Sequence, residues 1–148
     1  MRPALFVVVA GCTPYAPVKL GDSGFRLELD SGTVDDSTLC NPVIPSVTTV
    51  ITTAQTLEGP GPYFICPAVP VTLVDDEAWA YVSEYATATL NGDRAVAYAK
   101  NGAQVHASGD RSAIVAEPQA LASVARASSG IATCDQIRWS VHWDTSCP

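Results

Sequence analysis

The chain predicts an all-β fold of short stacked strands, either β-solenoid-like or a β-meander or sandwich. Three observations lead there. Hydrophobic residues make up 47 % of the sequence but aromatics only 7 %, and much of the apolar content is Ala and Val, which suits a narrow interior. The 11 prolines and 10 glycines are scattered along the chain, which leaves little room for long helices. Between residues 85 and 130, β-prone segments alternate with turn signals.

Those turn signals are Asn91-Gly92-Asp93, Asn101-Gly102, Gly109-Asp110, Glu117-Pro118 and Ser128-Ser129-Gly130. Between them lie the segments 85–90, 94–99, 103–107 and 112–116. In the third, Ala103, Val105 and Ala107 are expected inward and Gln104 and His106 outward. Because Asn-Gly also marks two-residue hairpins, a meander remains open beside a stacked coil. Ala120–Arg126, preceded by Glu117-Pro118-Gln119, leaves a short helix near 119–127 as a further alternative.

The length, 148 residues, fits a single domain over 1–148. It divides into an irregular β front part (1–76), the short-strand repeat region (77–130) and a C-terminal cap segment (131–148). In the front part, Phe25, Leu27 and Leu29 alternate with polar residues as in a half-buried strand. Residues 47–53 are rich in β-branched side chains, and 71–74 read as another strand. Pro67 and Pro70 argue against a central sheet position between them.

Ala103-Gln104-Val105-His106-Ala107-Ser108-Gly109-Asp110 resembles the Ala-x-Val-x-Ala-x-Gly-Asp repeats of β-solenoid proteins from phages and bacterial surfaces. The resemblance covers about residues 85–130. It implies a structural or binding module of a phage particle or bacterial surface, located on a virion or outside the cell. Val9-Ala10-Gly11-Cys12 resembles the lipobox of bacterial lipoproteins, which implies a lipid anchor at Cys12. The alternative reading of residues 5–10 is a buried strand.

Cysteines stand at 12, 40, 66, 134 and 147, without a Cys-x-x-Cys spacing. With Cys12 set aside, Cys40, Cys66, Cys134 and Cys147 are candidates for two disulfides. Local pairing, Cys40 with Cys66 and Cys134 with Cys147, is one arrangement, although spacing does not fix connectivity. Such cysteine use leans towards an oxidising compartment.

The formal net charge is −7. Ten acids and no Lys or Arg lie between Leu27 and Arg94, so the clustered cations of a phosphate track are missing and nucleic acid is not an expected partner. A membrane enters only through a lipidated Cys12. Other protein subunits, by self-association or assembly, are the expected partners.

The chemistry-bearing residues are few. His106 is expected on an outward strand position, and His142 neighbours Ser140 and Asp144 without a nucleophile elbow. Asp35-Asp36 and Asp75-Asp76-Glu77 are carboxylate clusters outside any EF-hand pattern. The expectation is therefore no enzyme, no cofactor and no metal site. A small secreted hydrolase using two carboxylates is the third functional reading, after the structural module and the lipoprotein. Trp139 and Trp143 are read as a cap over the open end of the strand stack or as a contact surface for a partner.

Overall fold

A computed structural model describes residues 39–139 and 147. Among these residues there are eleven short strands and no helix. The strands are β1 (Thr49–Ile51), β2 (Gln55–Leu57), β3 (Tyr63–Ile65), β4 (Pro70–Leu73), β5 (Trp79–Val82), β6 (Thr87–Leu90), β7 (Val96–Ala99), β8 (Gln104–Ala107), β9 (Ala113–Ala116), β10 (Leu121–Val124) and β11 (Gly130–Thr133). Odd strands form one sheet in the order β1-β3-β5-β7-β9-β11, and even strands form the other, β10-β8-β6-β4-β2. All pairings are parallel. The chain crosses from one sheet to the other at each turn, so the fold is a β-solenoid of about five turns.

Parallel pairing removes the meander. Asn91-Gly92 and Asn101-Gly102 are corners between the two sheets and not hairpin turns. The helix alternative near 119–127 also gives way, because Leu121–Val124 is a strand whose Ala122 and Val124 stack in register on Val105 and Ala107. Stacking on the coil before outweighs the local helical pattern. Residues 67–69 form a corner, as the two prolines predict, and the strand expected at 71–74 is β4. Pro70 opens β4, level with the start of β2, where Gln55 pairs with Val71, so the missing N–H falls where a strand's first residue tolerates it. The predicted strand around Phe25–Leu29 lies outside the described residues.

From β3 onward, paired residues in successive coils are 17 positions apart: Trp79 with Val96, Val96 with Ala113, Thr87 with Gln104. The first coil is shorter, with Thr49 opposite Tyr63 and Gln55 opposite Val71. One coil contains two strands and two unequal corners. For that reason the octad pattern looks uneven along the sequence, while 87–90 and 96–99 stand in register with 104–107 and 113–116. The coils begin at Thr49 and take in part of the front segment.

The interior is a narrow slot between the sheets. The even sheet contributes Val71, Leu73, Ala88, Leu90, Val105 and Ala107; the odd sheet contributes Ala80, Val82, Ala97, Ala99, Ile114 and Ala116, all buried. Gln104 and His106 are exposed, as the alternation in β8 predicts.

Polar side chains tie the corners from coil to coil. Asp76 Oδ1 accepts the N–H of Asp93 at 2.9 Å, and Asp93 Oδ1 accepts that of Asp110 at 2.8 Å. Behind them, buried Ser112 donates through Oγ to the Gly92 carbonyl, and Ser129 donates to that of Gly109. The next residue in the column is left-handed in three successive coils: Glu77, Arg94 and Arg111 have φ of 60, 58 and 57°. These are non-glycine residues in a region usually left to glycine. A bond from Arg94 Nη2 to Glu77 Oε1 (2.8 Å) links two of them.

The outer face of the odd sheet is covered by chain from outside the coils. Tyr81 and Tyr98 stack at 5.4 Å between ring centres, and Trp139 meets Phe64 and Tyr81 edge-on. Tyr81 Oη donates to the Val43 carbonyl. Two straps therefore run over this face, one entering through residues 39–48 and one leaving through 134–139. Arg138 N–H donates to the Cys40 carbonyl and joins them. Disulfides Cys40–Cys134 and Cys66–Cys147 fasten the straps. The local pairing of Cys40 with Cys66 and Cys134 with Cys147 is thus corrected: each cystine joins residues remote in sequence, because the straps return over the stack.

Gly92 and Gly109 sit where coils approach most closely. A Cβ on Gly92 would press into the Asp75 carbonyl, and one on Gly109 into that of Gly92. Backbone cannot move aside as a flexible side chain can. Gly109→Ala is expected to cost about 2 kcal/mol or more in chemical denaturation; an unchanged midpoint would contradict this close approach.

Candidate functional site

The covered odd sheet leaves the outer face of the even sheet as the sheet surface open to a partner among the described residues. Its side chains form two columns. One reads Thr56, Thr72, Thr89, His106 and Ser123, and the other Pro70, Thr87, Gln104 and Leu121. Neither column contains a charged residue, in a protein with a net charge of −7. The charges of the coils lie at the corners, where the strands end and the backbone needs capping partners.

A depression of about 430 Å³ takes in Thr89, His106, Leu121 and Ser123 of this face and passes β10 to reach Ile131 and Thr133 of the odd sheet. His106 Nδ1 and Ser123 Oγ are hydrogen-bonded at 2.8 Å. The residue in register on the other side of His106 is Thr89. No carboxylate stands in either column to orient the imidazole as a catalytic base. What the face does offer is a rank of hydroxyl and amide groups, each able to donate and to accept.

No known family, curated protein or solved structure matches the chain.

The acids singled out from the sequence serve the coils. Asp75 Oδ2 accepts the N–H of Gly59 at 2.7 Å, Asp76 holds Asp93, and Glu77 pairs with Arg94. Among the described residues no three His, Cys, Asp or Glu side chains converge as a metal site. Trp139 lies over Phe64 and Tyr81 on the odd sheet, with Lys100 Nζ 5.4 Å above its ring. It therefore covers a sheet face and not the open end of the stack, which corrects the end-cap reading for this residue. Cys12, Asp35, Asp36, His142 and Trp143 lie outside the described residues.

Glu117 is the functional-looking group that the sequence reading passed over. It is 6 % exposed, and its carboxylate accepts the N–H of Asn101 at 2.7 Å and that of Ile137 at 3.3 Å. Lys100 Nζ stands 4.0 Å away and donates to the Ile137 carbonyl. The carboxylate thus joins a coil corner to the outgoing strap. The equivalents of Glu117 in the two preceding coils are Lys100 and Ser83, so no repeated residue marks this corner, and the strap has no counterpart in the repeat.

Burial raises the tyrosines of the covered face. Desolvation pushes Tyr81 up to about 12. Tyr98 is raised further, by desolvation first and then by Tyr81 beside it. Below the ordinary value of 10.0 both the folded and unfolded chains hold these phenols neutral. Above it the unfolded chain ionises first, so stability falls as pH rises towards about 12. Melting temperature is expected to decline above about pH 10, and less steeply in Tyr98→Phe; equal slopes would separate the face from alkaline unfolding. Glu117→Ala leaves two donors without their carboxylate and is expected to cost about 2 kcal/mol, measured by denaturant titration at neutral pH.

Proposed function

We propose that this chain is a non-enzymatic structural or binding module of a phage particle or a bacterial surface. The observation that carries the reading is the stack itself. Polar corner groups are used from coil to coil, and one sheet face is sealed by two disulfide-fastened straps. The remaining face is uncharged and rich in hydroxyl groups. Such an object holds its shape and presents a fixed surface, as an assembly component requires. Two cystines suit an oxidising location, a virion or the cell exterior. The resemblance of Ala103–Asp110 to phage and surface repeats supports the same assignment.

A second reading gains from the cysteine pairing. Cys40, Cys66, Cys134 and Cys147 pair with one another. This leaves Cys12, in its lipobox-like setting, to anchor an envelope lipoprotein. Both readings place the stack outside the cytoplasm and differ in what holds it there.

Mass spectrometry of purified particles and of surface fractions tests the proposal. The protein is expected in one of them. Recovery only from the cytoplasm, with thiols reduced, would end both readings. An added diacylglycerol mass on Cys12 would select the lipoprotein.

A further inference from the structure

Among the described residues no strand lies beyond β10 in the even sheet. The N–H groups of Leu121 and Ala125 donate to the Ala103 and Ala107 carbonyls of the preceding coil. Alternate residues of a strand face opposite sides, so the N–H groups of Ala122 and Val124 face away from the stack. Side-chain burial agrees. Val105 and Ala107 are buried in β8, at 3 % and 0 % exposure, while Ala122 and Val124, in the same columns, are only half-buried. Leu121 is 65 % exposed.

Natural edge strands are usually blunted by Lys, Pro, a bulge or an inward charge. β10, Leu-Ala-Ser-Val, has none of these, and no charged residue occurs between Glu117 and Arg126. An uncharged, unblunted edge on an acidic protein is built for pairing.

We propose that β10 is the contact edge for a second copy of this chain, pairing antiparallel with the same strand of its partner about a two-fold axis. Charge selects that occupant. Two copies meeting at their corners would oppose Asp76, Asp93 and Asp110 with the same carboxylates, whereas β10 meets itself without any charge. A two-fold axis makes the pairing antiparallel and closed, so it stops at the dimer and does not grow into a fibre. It also carries the interior across the junction, since Ala122 and Val124 of both copies fall into one continuous slot. This deepens the structural-module reading by naming a partner, and it rests on that reading for its biological setting only.

The test is sedimentation velocity on the full chain with its disulfides intact, over a range of concentrations. A monomer–dimer equilibrium is expected. Ala122→Pro removes the outward donor and leaves the bonds to β8 untouched; Leu121→Lys puts on the edge the charge that blunts natural edge strands. Each is expected to weaken the dimer about tenfold or more, with circular dichroism and both cystines unchanged. A protein monomeric at every concentration overturns the proposal, as does a dimer of unchanged affinity in the variants that keep their fold. Slow hydrogen exchange at Ala122 and Val124 in a monomer also overturns it, because the chain would then cover its own edge. Failure here leaves the module reading standing, since a monomer found on particles or at the cell surface is still such a module.

Discussion

Coil rests on coil through a parallel backbone ladder whose partners, after a shorter first coil, are 17 residues apart, and the rest of the structure follows from that spacing. Strands in a sheet lie about 4.8 Å apart, so each position meets its own equivalent in the next turn. Only residues that tolerate a copy of themselves, or of a complement, can fill a column. Ala, Val and Leu do so inside the slot. At the corner, aspartate does so because its carboxylate accepts the N–H of the next coil instead of facing the next carboxylate alone. Gly92 and Gly109 mark the places where even a methyl group is too much.

A slot lined with alanine buries little apolar area per residue, and stability scales with that area. The aromatic residues make up for it on the other side of the odd sheet. Phe64, Tyr81 and Tyr98 form a column there with Trp79 beside it, and Trp139 closes over Phe64 and Tyr81. The straps that complete this second core come from sequence at both ends of the described stack. Each is held by a cystine, and the two closures span 94 and 81 residues. Closing loops of that length restricts the unfolded chain strongly. The molecule is thus a thin solenoid with a second, aromatic core laid on its back.

The strands were legible because each is a short run of β-branched or small residues ended by Gly, Asn, Asp or Pro. The outward placement of Gln104 and His106 followed from simple alternation. The coil period was harder to see, since two strands and two unequal corners make one turn and the Gly-Asp-Arg corner recurs only at 92–94 and 109–111. The helix alternative for 119–127 failed because it weighed local propensity without the coil beneath. The straps were not legible at all. They depend on contacts such as Trp139 with Phe64 and Glu117 with Ile137 that no period encodes. The same absence hid the disulfide pattern, because local loops are the simplest pairing when the return path is unknown. Of the candidate surface, the uncharged columns could have been read once 17 was known as the repeat.

The stacked arrangement with its returning straps is tested most directly by mapping the disulfides of the intact protein, through non-reducing digestion and mass spectrometry. The account predicts peptides linking Cys40 to Cys134 and Cys66 to Cys147. Peptides linking Cys40 to Cys66 and Cys134 to Cys147 would contradict it, since straps fastened locally at each end would not reach back across the coils.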